Sequence, residues 1–340
     1  MKLLIYEYYA SGAREDEGLK KAGFAMLDGV LKDFTQLSGI KISTVFDFSL
    51  RDLVLKAPYI DKLDICWSEK GEENGNKRFV EVLIKCDVVL IIAPEINGII
   101  AELTAIAEKS GKMVLGSCAQ ALNLVCNKAD TMSLLERRGL PVPRSETLGK
   151  SWTVERKAKI LEEFSLPLVI KPVYGTGGVG VKLVRTNNQL ENLLKQIEAS
   201  DEELYLVQEF IFGLDASVSC LVLDGKILPL SLNQQIINKE EELIFQGITV
   251  PLAHPESQDI FGIVAKACEL VKGLKGFVGV DLILSASGPV ILEINSRITS
   301  AYVALREAVP GNLAEDLWLL CREHRFPDQP KLKETFTYMV

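Results

Sequence analysis

The sequence predicts an α/β protein in which an N-terminal open parallel sheet is followed by two α+β subdomains. Three observations lead there. Over the first third of the chain, apolar runs of strand length alternate with helical stretches across short connections, the pattern of a parallel sheet with covering helices. After Pro141-Val142-Pro143 the alternation gives way to short strands punctuated by glycine and turn signals. The C-terminal part carries an apolar hairpin with carboxylates set into it. The expected units are 1–125 for the parallel sheet, 126–205 for a central subdomain and 206–340 for a C-terminal subdomain.

The elements follow in order. Leu3-Leu4-Ile5-Tyr6 is a buried first strand, and the N-terminus lacks the long apolar core of a signal peptide. From Gly18 to Ser38, apolar residues including Leu19, Leu27, Val30, Leu31 and Phe34 fall near helical spacing. Lys41–Phe46 is a second strand, and Glu69 to Asn74 is an acidic loop or helix start. Val88–Ile92 is apolar on both faces, as a central parallel strand requires. A helix over 98–110 and a short strand at 113–115 complete the sheet. Ligands of such sheets meet the carboxyl ends of strands, which here carry Glu7, Ser11, Glu95, Asn97 and Ser117. In the second half, 168–171 and 181–184 are strands flanking a glycine loop, and 188–199 is a polar helix. Strands follow at 204–210, 216–223 and 227–230, the last two joined by an Asp224-Gly225 turn. A helix covers 258–274. A final hairpin pairs 279–284 with 290–295 across Ser285-Ala286-Ser287-Gly288.

Composition narrows the function classes. The net charge is −8 and there is no long basic block, which argues against a nucleic-acid partner. No apolar run reaches the roughly 18 residues of a membrane span, so no membrane partner is expected. Seven scattered cysteines without a CxxC pair read as buried thiols in a reducing cytoplasm. With only His254 and His324, histidine triads and His-rich zinc sites are nearly excluded.

Two constellations carry chemistry. The first is Tyr174-Gly175-Thr176-Gly177-Gly178-Val179-Gly180, preceded by Lys171 in an apolar strand. Its G-x-G-x-x-G spacing fails as a Rossmann fingerprint because a strand-like segment, not a helix, follows. It fails as a Walker A loop because Gly180-Val181 stands where Lys-Ser/Thr is needed, and the chain has neither the HRD nor the DFG motif of a protein kinase. What remains is a hairpin whose glycines let backbone N–H groups approach phosphates. An unpaired ammonium on Lys171 would be costly in that strand, and a phosphate would relieve the cost. A plain turn is the competing reading. The second constellation is Asp281 with Glu293 and Asn295. Glu293 and Asn295 share a face, and counting outward from the turn sets Asp281 roughly opposite Glu293. Three oxygen ligands on one face suit Mg²⁺, which keeps waters and substrate phosphates as further ligands. A solvated polar face is the competing reading. Arg297 follows on the same side and could offset developing negative charge.

Together these residues resemble the ATP-grasp superfamily over residues 80–320. Lys128, after Cys126-Asn127, looks like the first nucleotide lysine, Lys171 like the second, and residues 174–180 like the mobile phosphate loop. Gln208-Glu209-Phe210-Ile211 is similar to the hinge segment. The resemblance implies that Gln208 and the backbone of Glu209 and Ile211 hold adenine, that Asp215 holds the ribose, and that Asp281, Glu293 and Asn295 hold Mg²⁺, with Mn²⁺ as the other candidate. Ser296 stands where many members have proline in Glu-x-Asn-Pro-Arg, which puts the placement of Arg297 in question. Dipeptide ligases of the D-alanine type carry an arginine where this chain has Gly279, which disfavours that activity.

A narrower similarity, through Tyr6-Glu7-Tyr8, Ser11-Gly12, Ala93-Pro94-Glu95 and Thr299-Ser300-Ala301-Tyr302, is to the tyramine–L-glutamate ligases of methanofuran biosynthesis. It implies a metal- and ATP-dependent ligase joining an amino-acid carboxylate to an amine through an acyl phosphate. Lys171 and Arg297 would act in catalysis, and Glu7, Ser11, Glu95, Arg297 and Ser300 would meet the substrates. Arg306 would either assist Arg297 or form a helix-surface ion pair. A ligase for another amino-acid and amine pair, an ATP-binding regulator without catalysis and a Rossmann oxidoreductase remain as alternatives, and the family resemblance leaves room for a homodimer.

Overall fold

The computed structural model describes residues 1–69, 75–149, 152–200, 204–240, 242–332 and 334–340. The acidic stretch beginning at Glu69 therefore lies largely outside the described residues. The N-terminal unit runs β1 (Lys2–Glu7), α1 (Glu17–Phe34), β2 (Lys41–Asp47), α2 (Arg51–Val54), β3 (Leu63–Ser68), α3 (Gly75–Leu83), β4 (Val88–Ile92), α4 (Ile99–Lys109) and β5 (Met113–Val114). Its five strands are parallel in the order β3-β2-β1-β4-β5. The chain order reverses between β1 and β4, so the crevice beyond their carboxyl ends is the place for a ligand. The sequence reading missed β3 and α3. In β3 Asp64 interrupts the apolar run and bonds to Lys2 and Ser43.

Helices α5 (Ala119–Cys126) and α6 (Lys128–Arg137) lead into the central unit. Asn127 separates them and caps α6 by accepting the N–H of Asp130, which fixes Lys128 in the first turn. The central unit holds β6 (Ser145–Gly149), α7 (Val154–Glu162), β7 (Leu168–Pro172), β8 (Lys182–Val184), α8 (Asn187–Ala199) and β9 (Leu204–Glu209). Its four strands form one antiparallel sheet, β6-β9-β7-β8. The expected boundary at 205/206 cuts through β9, which belongs wholly to this sheet because it pairs on both sides.

The remaining elements are β10 (Leu214–Leu223), β11 (Lys226–Lys239), β12 (Leu243–Val250), α9 (Ser257–Leu270), β13 (Lys275–Ser285), β14 (Gly288–Asn295), α10 (Ala301–Ala308), α11 (Leu313–Glu323) and β15 (Phe336–Met339). The strands make an antiparallel sheet in the order β14-β13-β10-β11-β12-β15. Asp224 (φ 49°) and Gly225 (φ 76°) both adopt the left-handed conformation that a tight hairpin turn demands. Helices α10 and α11 cross back to the N-terminal unit: Leu305, Ala308 and Leu317 share one buried core with Leu27, Leu31 and Phe34 of α1. Arg306 belongs to that interface. Its guanidinium grips Asp33 at 2.7 Å, and Asp33 also accepts the Tyr302 hydroxyl, so Arg306 is a structural ion pair and not a partner of Arg297.

Among the described residues no helix is long and apolar enough to cross a membrane. None of the seven cysteines forms a disulfide.

Candidate active site

A cleft of about 240 Å³ lies between the four-stranded and six-stranded sheets. Its floor is the inner face of β14, β13, β10, β11 and β12. Period-two alternation brings Asp281 and Ile283 of β13, Asp215 and Ser217 of β10, and Gln235 and Ile237 of β11 to this face. Two bulges adjust it. On β14 the register passes from Glu293 opposite Asp281 to Ile291 opposite Leu282, so Leu292 is an extra residue and both Leu292 and Glu293 reach the cleft. On β12 Gln246 is the extra residue, which brings Phe245 and Ile248 to the same side.

Asp281, Glu293 and Asn295 meet on the floor. The Asn295 amide donates to Asp281 Oδ2 at 3.0 Å and to Glu293 Oε1 at 3.1 Å. Gln235, which the sequence reading passed over, donates to Asp281 Oδ1 at 3.0 Å. Burial and the neighbouring Glu293 push the Asp281 carboxyl well above the usual range. Burial acts the same way on Glu293, but Lys128 and Lys171 outweigh it and bring Glu293 to about 2. Two carboxylates competing for one proton, beside an amide, suit a divalent cation, which would take the proton's place. No group of three or more His, Cys, Asp or Glu that could hold a metal occurs among the described residues. The trio thus offers too few ligands for a closed resident site and fits a hard cation that brings phosphate oxygens and water with it.

The roof carries the positive charge. Lys171, on β7, is 7% exposed, and burial lowers its ammonium to about 8 despite the pull of Glu293. Lys128 is equally buried. It donates to the Gly175 carbonyl at 2.6 Å and lies 3.5 Å from Glu293 Oε2. The glycine loop spans the cleft between these lysines. Gly177, Gly178 and Gly180 have φ of 61°, 78° and 75°. A Cβ on Gly178 would fall 2.6 Å from the Leu243 carbonyl oxygen, so the loop backbone packs directly on β12 and only glycine fits there. Tyr174, expected with the loop at the nucleotide, does not line the cleft: its ring packs on the hydrophobic core and its hydroxyl accepts the Asn127 amide. Thr176 and Val179 do line the cleft.

The hinge residues Gln208, Glu209, Phe210 and Ile211 line one end. Gln208 is buried and donates to Ser145. The N–H of Glu209 is already bonded to the Arg144 carbonyl, so its backbone can offer adenine only the carbonyl. Asp215 pairs with Lys239 at 2.6 Å, a partner that sequence reasoning missed because β11 was expected to end at 230. Ser300 lines the opposite end with Thr299 and Ala301.

The substrate expectations need correction at three residues. Glu7 and Ser11 do not line the cleft. The Glu7 carboxylate turns inward and accepts the N–H of Ala10, while Ser11 donates to the Tyr8 carbonyl, so both are spent on the turn after β1. Burial raises Glu7 to about 8. Glu95 does reach Arg297, but as a bidentate partner of its guanidinium at 2.7 and 2.9 Å. Ser296, the departure from proline, lies buried with its hydroxyl 2.6 Å from that of Ser117, whose oxygen also accepts the Lys275 N–H. This bond fixes the segment that proline would have stiffened, and Arg297 is held in place.

Comparison with known proteins bears on the whole chain. A family model described as the ATP-grasp domain matches residues 125–301, and one described as the pre ATP-grasp 3 domain matches residues 40–122. The chain belongs to the ATP-grasp family. It is 31% identical to the tyramine–L-glutamate ligase of Methanocaldococcus jannaschii over 309 residues, covering 89% of this chain and 84% of that protein. It is 30% identical to the tyramine–L-glutamate ligase of Methanocaldococcus fervens, with 89% of each covered. An ATP-grasp superfamily protein from Archaeoglobus fulgidus shares the fold, with a TM-score of 0.73 and 24% identity over 99% of this chain and 91% of that one. With these relatives, the chain is an ATP-grasp carbon–nitrogen ligase, an ATP-dependent enzyme that forms amides.

Proposed function

We propose that this ligase joins L-glutamate to tyramine, giving γ-glutamyltyramine, ADP and phosphate, in methanofuran biosynthesis in the cytoplasm. The observation that carries the reading is the meeting of Lys128 and Lys171, beneath the glycine loop, with the Asp281–Glu293–Asn295 trio in a chain so similar to tyramine–L-glutamate ligases. In this reading the hinge holds adenine, Asp215 the ribose, and the two lysines with the loop N–H groups the phosphates. The trio would hold Mg²⁺ or Mn²⁺, which draws negative charge from the terminal phosphates. A glutamate carboxylate at the Ser300 end of the cleft attacks the γ-phosphorus and forms an acyl phosphate. The tyramine nitrogen then adds to the acyl carbon and phosphate leaves. Phosphoryl transfer of this kind needs alignment and charge neutralisation more than covalent help, so two lysines and a cation suffice without a histidine.

A screen of ATP-dependent phosphate release over pairs of amino acids and amines tests the assignment. Release with glutamate plus tyramine, and a product of the mass of their amide, is the expected result. Amide formation confined to another pair would refute the substrates and leave the ligase chemistry standing.

A further inference from the structure

Arg297 stands two residues beyond Asn295, between three parts of the molecule. A guanidinium has five N–H donors. Nε donates to Glu95 Oε1 at 2.7 Å, Nη2 to Glu95 Oε2 at 2.9 Å and to Thr176 Oγ1 at 3.0 Å, and Nη1 to the Ile298 carbonyl at 3.2 Å. Four donors are engaged and one N–H, on Nη1, is left. An incoming carboxylate needs two parallel N–H groups for a forked grip. Arg297 cannot supply them while it holds Glu95, and Glu95 is 4% exposed. Releasing Glu95 would strand a buried carboxylate without its counter-charge. The pair therefore stays together, and Arg297 is not free to clamp the substrate's carboxylate.

Besides Glu95 and the neighbouring Ile298 carbonyl, Arg297 reaches the glycine loop. Thr176 gives that loop a side-chain tie to Arg297, next to the Lys128 tie on the Gly175 carbonyl and the close packing of Gly178 on Leu243. Glu95 in turn follows β4, where Asn97 (φ 50°) and Gly98 (φ 71°) turn the chain sharply into α4 and fix where Glu95 sits. The side chains thus run from the N-terminal sheet through the segment after β14 to the loop over the phosphate end.

We propose that Glu95, Arg297 and Thr176 form a latch that holds the glycine loop against the N-terminal unit during the reaction, with Glu95 and Thr176 as its positioning residues. The proposal rests on reading the cleft as a nucleotide site. A loop that fails to stay down admits water and misaligns the γ-phosphate, so the latch acts on turnover more than on nucleotide affinity.

Thr176→Val and Thr176→Ser separate the latch from bulk packing. Losing a hydrogen bond to a charged group should lower kcat about tenfold in Thr176→Val, with KM for ATP changed less than about threefold, while Thr176→Ser stays within about twofold of the parent. Amide exchange across residues 174–180 should quicken in Thr176→Val, both without nucleotide and with a non-hydrolysable ATP analogue and Mg²⁺. Glu95→Gln should quicken it too, and the double variant should be no worse than the worse single. Parental exchange and kcat in Thr176→Val, or additive losses in the double variant, would overturn the latch. If Glu95→Gln does not fold, the Val and Ser pair decides alone. If the parent binds no ATP analogue, the nucleotide reading of the cleft fails, and exchange without nucleotide still decides the latch.

Discussion

Replacing Lys171 by methionine should make the protein more stable and less active. The two side chains are similar in length, and the site is closed: Lys171 is 7% exposed on β7. Burial lowers its ammonium from 10.5 to about 8. A gap of that size between unfolded and folded chains corresponds to about 3–4 kcal/mol of instability at neutral pH. The sign follows from proton counting. Between pH 8 and 10.5 the unfolded chain binds the Lys171 proton and the folded chain releases it, so the parent gains stability as pH rises through that window. Methionine has no such term. Part of the gain is returned, because Lys171 helps hold Glu293 ionised and its loss leaves that carboxylate less compensated. A net stabilisation of about 2 kcal/mol below pH 8 is expected, fading by pH 10.5. Thermal melts of both proteins across pH 7–10.5, without nucleotide, measure it. ATP turnover by the variant should be lost. A variant that melts lower than the parent at pH 7, or one that turns over ATP normally, refutes the view that Lys171 is kept for the phosphates at the expense of the fold.

Three further outcomes follow from the same geometry. Asp281→Asn and Glu293→Gln should each cut Mg²⁺-dependent turnover by about 10²-fold or more, since each removes charge facing the transferring phosphoryl group, and parental rates in both would sink the metal assignment. Gly178→Ala should lower kcat/KM for ATP by at least about tenfold through its left-handed backbone and its contact with Leu243, whereas Gly175→Ala, whose Cβ meets nothing nearer than 3.8 Å, should be mild; steady-state kinetics of the two decide whether the loop's backbone path matters. Gly23→Ala should destabilise the N-terminal unit by about 1–3 kcal/mol in urea melts, because a Cβ there would lie 2.4 Å from the buried Glu7 carboxylate, and an unchanged midpoint would mean Glu7 can move aside.

What could be read from the sequence was local. The glycine loop announced itself by spacing, and counting from the Ser285–Gly288 turn brought Asp281 to within one residue of Glu293, the bulge at Leu292 then making the two direct partners. The parallel sheet was visible because its central strands are apolar on both faces. What stayed hidden was created by distance. Arg297 and Glu95 are 202 residues apart, and Gln235 reaches Asp281 across 46. Neither pair leaves a local pattern. Strand β12 was missed because Gly247 and the bulged Gln246 break its alternation, and β15 forms only by pairing with it. Helices α10 and α11 were also missed; their apolar faces are buried between α1 and the six-stranded sheet, partners far away in sequence. Glu7 misled for a related reason: its position beyond a central strand suits a ligand, yet its carboxylate caps the turn that follows.

The central claim is that a carboxylate is activated by phosphorylation before an amine takes its place. It is tested most directly by supplying the enzyme with ATP, Mg²⁺, tyramine and glutamate labelled with ¹⁸O in its carboxylates. γ-Phosphoryl transfer requires the carboxylate oxygen that attacks phosphorus to leave with it, so ADP and singly ¹⁸O-labelled phosphate should appear in step with the amide. AMP as the nucleotide product, or phosphate free of ¹⁸O, would contradict the account.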